Sequence, residues 1–424
     1  MNNDIPDIRH DYRQPNFDPA KIAPYTLEDP LTFLDGTKVT DAESWKKRRK
    51  EILDIFAGEM FGIEPPVPET VDFELIYEKN NALAGFAVVS EYKVYFKKDK
   101  SGPAINFLVI RPRHAKKPAP PVFFLNYRGN HQLIPDENIS IPDMWSGLIK
   151  GHKVPETRGE MNDPENDTVI PIGMLLSAGY AVITACYCQI SPDPFDHETG
   201  DFSQQKFAYT GVFDLWGKRD ENRTDNTTAI GAWAWALSRA LDFAEKIPEL
   251  DAKRAVVTGF SRLGKAALLA AARDERFPVC VPIQCGGGGA TLAKRDFGEN
   301  IATETTMFTH WYCKAYEKYA RNPAQLLTFD QHLLVAAVAP RKLLIGGFDS
   351  PWFDTEGEYL ACKAAGCAWE VCGKPGFPDV PFPADYETAA IGEYLGYYRR
   401  TEEHGIADFD WYQLLNFAKD AGVY

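Results

Sequence analysis

The chain has 424 residues, of which 45% are hydrophobic and 25% charged, a composition typical of a globular protein that buries a large core. Its formal net charge of -14 argues against nucleic acid as a partner, because phosphate binding requires a clustered positive field. No apolar run reaches the roughly 20 residues that span a bilayer, so we expect no membrane partner. The acidic, polar start has no signal-peptide pattern, which predicts a cytoplasmic protein.

The first 66 residues predict an arm followed by one helix. Residues 1–30 contain five prolines and little periodicity, which is typical of an extended arm. Within 41–60 the apolar residues recur at helical spacing with Lys and Arg between them, and Gly62 and the pair Pro65-Pro66 follow. We therefore expect an amphipathic helix that ends near Met60.

The next part of the chain predicts strands and then a long loop. Alternating or continuous apolar runs bounded by Gly and Pro indicate strands at 71–77, 86–96, 104–110 and 122–125. The following stretch is rich in Gly, Pro, Asn and Asp, and a loop of that length in a compact protein is usually functional or a lid. We expect an insertion over 126–170 that lies above the active site.

Beyond residue 170 strands alternate with helices. Helical patterns cover 172–178, 230–246 and 263–273, and short apolar runs of the buried-strand type lie at 180–186, 255–258, 279–283 and 343–345. This alternation predicts a mostly parallel central sheet with helices on both faces, a three-layer α/β sandwich. We expect a single domain over 1–424.

A strand, a sharp turn and a helix are predicted to meet at Ser261. Gly259 lies two residues before this serine, and Gly264 lies three residues after it rather than two. Small neighbours, a preceding strand and a following helix are what the nucleophile elbow of an α/β-hydrolase requires. The alternative is an ordinary serine N-cap, but the context predicts Ser261 as the nucleophile, with backbone amides of the helix N-terminus near the oxyanion.

The general base is predicted from chain order, which in this fold runs serine, acid, histidine. The histidines after Ser261 are His310, His332 and His404. The last lies in a polar, glycine-containing loop before the predicted closing helix 411–419. Chain order and this loop favour His404.

Several motifs together resemble those of the bacterial glucuronoyl esterases, carbohydrate esterase family fifteen. The match runs from Trp45 to the C-terminus. Its densest segments are Trp233–Phe243, Gly259–Lys265, Cys285–Glu299, Asp330–Leu334, Ala339–Arg341 and Trp352–Glu358. The resemblance implies an α/β-hydrolase fold and hydrolysis of esters of sugar acids, such as 4-O-methyl-glucuronate, through an acyl-enzyme and without a cofactor.

The resemblance also implies roles for individual residues. It assigns the side chain of Arg262 to the oxyanion hole, Lys265 to sugar hydroxyls, and Glu299 and Trp352 to the uronate ring, and it implies that the loop histidine is His404. Independently, a tryptophan in a loop after a strand suits stacking on a sugar, and Lys265 lies one helical turn beyond the serine. The alternatives are a surface charge for Glu299 and a core residue for Trp352.

The acid departs from the family pattern. Many members carry a glutamate 23 residues after the serine, where this chain has Gln284, and others use an acid two residues before the loop tryptophan, where it has Ser350. We therefore predict an acid from the loop after the strand at 343–345, with Asp349 ahead of Asp354. Met307 stands where many members have glutamine in the sugar site.

These observations predict a serine esterase whose partner is a carbohydrate uronate ester. The alternatives are an acetyl-sugar esterase of the acetylxylan type and a weakly active or inactive sugar-binding homologue, which the missing glutamate motivates. No metal site is expected, because Cys362, Cys367 and Cys372 are spaced too widely for a zinc knuckle and several cysteines lie in apolar runs. The alcohol side of the ester and the oligomeric state are left open.

Overall fold

The computed structural model describes residues 14–142, 156–162, 168–194, 208–382, 389–401 and 403–419. The predicted first helix is present as α1 (Ala42–Glu59). It begins after Asp41, whose carboxylate accepts a hydrogen bond from the backbone N–H of Ser44 at 2.7 Å while the Ser44 hydroxyl accepts from the Asp41 N–H. This reciprocal capping satisfies amides that a helix start otherwise leaves unpaired. Residues 1–13 of the predicted arm lie outside the described residues.

The described residues form one ten-stranded sheet. In chain order its strands are β1 (Asp72–Ala82), β2 (Ala87–Tyr95), β3 (Ala104–Pro112), β4 (Pro121–Asn126), β5 (Ala181–Cys186), β6 (Val256–Phe260), β7 (Val279–Ile283), β8 (Lys342–Phe348), β9 (Ala389–Ile391) and β10 (Leu395–Arg400). The spatial order is β1-β2-β3-β5-β4-β6-β7-β8-β10-β9. Neighbours from β5 to β10 are parallel, whereas β1 to β3 and β9 pair antiparallel at the two edges. The predicted mostly parallel sheet is confirmed.

Helices cover both faces of this sheet. After α1 they are α2 (Ile172–Ser177), α3 (Tyr187–Ile190), α4 (Ala229–Ala244), α5 (Arg262–Arg273), α6 (Ile301–Met307), α7 (Pro323–Leu326), α8 (Gln331–Ala336), α9 (Thr355–Ala365), α10 (Cys367–Glu370) and α11 (Asp408–Ala418). Alternate residues of one strand enter different cores: Phe123 packs with α4 and α5, and Phe124 packs with α11. This follows from the two-residue period of a strand, and it confirms the three-layer arrangement.

The structure departs from the predicted elements at the C-terminal side. Helices α3, α6 to α10 and strands β9 and β10 were not predicted, whereas the strands and helices that were predicted between α1 and β8 are present with shifts at their ends. All eight cysteines are free thiols, and six of them are buried. Among the described segments, no helix combines the length and the apolar character that a membrane crossing needs.

The predicted insertion over 126–170 is described only in part, since 143–155 and 163–167 lie outside the described residues. Its last residues are attached to the loop that carries His404: the N–H of Val169 donates to the carbonyl of Ile406 at 3.0 Å, and the indole of Trp411 donates to the carbonyl of Val169 at 2.7 Å. The end of the insertion is therefore fixed beside this loop. Its location over an active site and the single-domain organisation stay predictions.

Candidate active site

Ser261 occupies the turn between β6 and α5 with φ of 57° and ψ of -126°. This is a region of backbone space that a residue with a side chain rarely adopts, and such strain persists only where the surrounding structure enforces it. The serine N–H donates to the carbonyl of Ile283 in β7 at 2.9 Å, and the side chain is partly exposed. The predicted strand, sharp turn and helix are all present, in the geometry of a nucleophile elbow.

Two glycines permit the close approach of α5 to the strands. A Cβ on Gly259 would lie 2.1 Å from the carbonyl oxygen of Leu263, and a Cβ on Gly264 would lie 2.9 Å from that of Ile283. Both obstacles are backbone atoms, which cannot swing away as a flexible side chain does. The second glycine therefore serves the elbow from three residues after the serine.

His404 lies beside the elbow, in the loop between β10 and α11. Its imidazole ring is 4.6 Å from the ring of Phe260, the residue before Ser261, and 5.0 Å from the ring of Phe353, measured between centroids. The other two histidines are buried in contacts of a different kind: His332 bonds the carbonyl of Glu28 at 2.7 Å, and His310 bonds a carboxylate described below. Burial lowers the pKa of His332 to about 4.

Gln284, at the position where many family members carry the acid, is fully buried at the end of β7. Its side-chain oxygen accepts a hydrogen bond from the N–H of Gly405 at 3.1 Å. This hydrogen bond fixes Gly405, the residue next to His404. The amide of Gln284 cannot ionise, however.

The two predicted acids have different surroundings. Asp349 follows β8 with its side chain 45% exposed, and it pairs with the guanidinium of Arg399 at 2.8 Å. Asp354 is buried, binds Arg295 through both oxygens at 2.7 and 3.2 Å, and accepts from the N–H of Gly357 at the start of α9. Burial raises the pKa of Asp354 while Arg295 opposes this shift. Asp354 is thus engaged in the structure of this loop, and Asp349 is the more accessible of the two.

Arg262, the first residue of α5, is buried in an ion pair with Asp193. Its guanidinium also lies over the ring of Trp311, 4.6 Å from the centroid, in cation–π geometry. Asp193 accepts further hydrogen bonds from His310 Nε2 at 2.7 Å, Trp311 Nε1 at 3.0 Å and the Tyr187 hydroxyl at 3.1 Å. The orientation of the guanidinium is therefore determined by four residues from two separate parts of the chain, 187–193 and 310–311.

The two members of this ion pair keep each other charged. Burial alone would raise the pKa of Asp193, but the charge of Arg262 and the hydrogen bond from His310 outweigh it and hold the pKa well below its usual range. Burial would lower the pKa of Arg262, and Asp193 outweighs that effect. Sequence reasoning missed Asp193, because a lone aspartate between two prolines has no pattern that marks a partner 69 residues away.

Lys265, Glu299 and Trp352 are brought together one helical turn from Ser261, and we refer to them as the Lys265 cluster. The ammonium of Lys265 donates to Glu299 Oε2 at 3.2 Å and to the carbonyl of Gly287. The N–H of Glu299 donates to the carbonyl of Trp352 at 2.7 Å. Glu299 is buried and Trp352 is only partly buried, so neither the surface charge nor the core tryptophan that the sequence left open is present.

Two further buried carboxyl groups lie near Lys265 and were not predicted. Glu358 of α9 accepts from the N–H of Gly286 at 2.9 Å, and burial raises its pKa to about 8. Burial also raises the pKa of Glu304 in α6. The charge of Lys265 opposes this shift, and the charge of Glu299 adds to it. Near neutral pH Glu358 therefore keeps its proton.

Within the described residues, no group of three or more His, Cys, Asp or Glu side chains is arranged to hold a metal ion.

Comparisons with known proteins agree with this geometry. A family model described as "Glucuronyl esterase, fungi" matches residues 168–373. A carbohydrate esterase from an unknown prokaryotic organism is 33% identical over 97% of this chain and 93% of its own length. A solved glucuronoyl esterase from Solibacter usitatus is also 33% identical, covers 95% of this chain and 99% of its own, and superposes with a TM-score of 0.84. The chain belongs to the glucuronoyl esterase family.

Another solved member supports the same assignment. A promiscuous esterase of carbohydrate esterase family 15, from a marine bacterial metagenome, is 31% identical, covers 96% of this chain and 100% of its own, and superposes with a TM-score of 0.82. The chain is accordingly an α/β-hydrolase and a carboxylic ester hydrolase, as its motifs implied.

The ion pair of Arg262 generates a stability prediction. Asp193→Asn should lower the free energy of unfolding by about 3–5 kcal/mol, because it leaves a buried guanidinium without a negative partner. Adding Arg262→Met to this variant should recover part of the loss, since the uncompensated charge is then removed. Urea denaturation measures both effects.

The control is Asp54→Asn, which breaks an exposed pair with Lys50 and should have little effect on stability. Additive losses in the double variant Asp193→Asn/Arg262→Met would contradict the coupling.

Glu358 generates a prediction about pH. The unfolded chain releases this proton near the ordinary value of 4.5, whereas the folded protein holds it until about pH 8. Between these values the folded state binds more protons, so the contribution of Glu358 to stability falls as pH rises. Glu358→Gln keeps the size and the neutral state, and its stability relative to wild type should improve from pH 5 to pH 8. Urea denaturation across that range tests this, and a constant difference would contradict it.

Proposed function

We propose that this enzyme hydrolyses esters in which glucuronic acid, including its 4-O-methyl form, supplies the acyl group. The observation that carries the proposal is the Lys265 cluster, which lies on and beside the helix that begins directly after Ser261. Groups suited to a sugar thus adjoin the nucleophile, and in the proposed complex the carbonyl carbon that the serine attacks belongs to the sugar. The relative from Solibacter usitatus, described as a glucuronoyl esterase, supports this choice.

In the first half of the reaction, Ser261 Oγ attacks the C6 carbonyl carbon and its proton passes to the imidazole of His404. The carbonyl oxygen becomes an oxyanion. Backbone N–H groups at the start of α5 and the guanidinium of Arg262, oriented by Asp193, are the donors proposed for it. The bond to the alcohol oxygen then breaks, and the alcohol leaves with the proton that His404 returns.

In the second half, water attacks the acyl-enzyme while His404 takes a proton from it. Breaking the ester bond to Ser261 releases the free uronic acid, and the proton returns to the serine. Throughout both halves Lys265 and Glu299 would bind ring hydroxyls, and Trp352 would stack on the C–H face of the sugar. No step in this scheme needs a redox or metal cofactor.

Hydrolysis of acetylated sugars is the second candidate, because one close structural relative is described as a promiscuous esterase. In an acetyl ester the sugar is on the alcohol side, so the Lys265 cluster would hold the leaving group rather than the acyl group. The two candidates therefore differ in the product released, which is acetate in one case and uronic acid in the other.

The test is an assay of methyl glucuronate, its galacturonate epimer and an acetylated sugar, with identification of the acid produced. We expect uronic acid from methyl glucuronate at the highest kcat/KM, and acetate as the main product would contradict the proposal.

Ser261→Ala should lower kcat by about 10⁴ or more. His404→Ala should be similarly damaging and not additive with it, because the two act as one unit. Ser101→Ala, in the exposed turn before β3, is the matched control.

The acid of the triad is tested by Asn variants, which keep size and remove charge. Asp349→Asn should lower kcat by several orders of magnitude, since the corresponding change in another serine hydrolase costs about 10⁴. Asp354→Asn should instead lower the melting temperature, because it breaks the buried pair with Arg295, and should change kcat little. Gln284→Glu should partly restore the Asp349→Asn enzyme. Near-wild-type rates in both aspartate variants would remove the loop after β8 as the source of the acid.

A further inference from the structure

A second aromatic side chain adjoins the Lys265 cluster and has no role in the scheme above. Phe17, on the N-terminal arm, is 51% exposed. Its ring lies 6.3 Å from that of Trp352 with the planes 30° apart, and 6.4 Å from the ring of Phe297, which it meets edge-on. Phe17 thus adds a second, exposed aromatic ring beside that of Trp352.

Backbone hydrogen bonds fix the arm at this place. The carbonyl of Asn16 accepts from the N–H of Gly298 at 2.8 Å, and the next residue, Glu299, donates to the carbonyl of Trp352. The side chain of Asn16 accepts from the N–H of Asp18 at 2.9 Å, and the carboxylate of Asp18 accepts from the N–H of Ala20 at 3.0 Å. The position of Phe17 is therefore determined by the arm itself and by the segment that carries Glu299.

A groove begins at Phe17 and follows the arm. Its volume is about 600 Å³, within the range of about 300–1,000 Å³ that ligand sites occupy. Its lining offers amide, carboxylate and ammonium groups, from Gln14, Asn16, Asp18, Lys21, Asp296 and Asn322. Donors and acceptors of both signs suit a neutral ligand with many hydroxyl groups better than an ionic one.

We propose that Phe17 and this groove form a second carbohydrate subsite, which binds the glycan chain that carries the esterified uronate. A pyranose ring presents a face of C–H groups and a rim of hydroxyls. The exposed ring of Phe17 matches the face, and the polar lining matches the rim. The inference rests on the proposed function, since it takes the Lys265 cluster as the site of the uronate, and it specifies the substrate as an oligosaccharide ester.

The test compares two esters: methyl glucuronate as a monosaccharide, and methyl glucuronate linked to a xylo-oligosaccharide. The measured quantity is the ratio of kcat/KM for the linked ester to that for the monosaccharide. Phe17→Ala should lower this ratio by about tenfold, the scale expected for the loss of one aromatic contact, mainly through KM. Phe17→Trp should retain the wild-type ratio.

Phe86→Ala is the matched control, because Phe86 is 73% exposed in a different groove, which Leu83 and Pro112 also line. Its ratio should equal that of wild type. An unchanged ratio in Phe17→Ala, or an equal fall in Phe86→Ala, would overturn the subsite.

Failure of the proposed function gives a different result. If the wild-type enzyme hydrolyses neither ester, calorimetric titration with the unesterified glucuronoxylo-oligosaccharide still measures the subsite. Phe17→Ala should then raise the Kd by about tenfold. The same Kd in wild type and Phe17→Ala would reject the subsite whatever the catalytic activity.

Discussion

The packing of the first turn of α5 against the ends of β6 and β7 is the constraint on which the site depends. Glycine at 259 and 264 allows backbone to meet backbone there, since a Cβ at either position would lie 2.1 or 2.9 Å from a carbonyl oxygen. This contact holds Ser261 at its unfavourable φ. It also determines where the following residues of the helix start, so the strained turn positions Arg262 and Lys265 as well as the serine.

Arg262 and Lys265 leave this turn as two buried cations, each with its own carboxylate. Asp193 pairs with the first and Glu299 with the second. Trp311 lies under both, with the guanidinium 4.6 Å and the ammonium 5.7 Å from its ring centroid. In a poorly hydrated interior such ion pairs have few alternative arrangements. Water there screens little of the electrostatic interaction between the remaining N–H groups of Arg262 and Lys265 and a ligand. In the proposed reaction, the same helix turn would thus supply donors for the oxyanion and for sugar hydroxyls.

The parts of the structure that local sequence determines are those that could be predicted. The strand before Ser261, its glycines and the helix after it are adjacent in the chain, and their apolar pattern indicated an elbow. The contact between Asp193 and His310 was missed because it joins residues 117 positions apart. Strand β10 was missed for another reason: its tyrosines and arginines do not look like a buried strand. Two of them, Tyr398 and Arg400, are buried and both bind Asp410, at 2.8 and 3.1 Å.

The substitution of glutamine for the family's glutamate separates two tasks. In a complete triad one buried carboxylate both orients the histidine and stabilises the imidazolium. Here Gln284 performs a part of the first task, because its oxygen bonds the residue next to His404, but it contributes no charge. The predicted acid, Asp349, is half-exposed and shares its charge with Arg399. With Asp349 as the acid, water and the guanidinium would both weaken the field of its carboxylate at the imidazolium, and the charge that Gln284 lacks would come from a surface loop rather than from the core of the sheet.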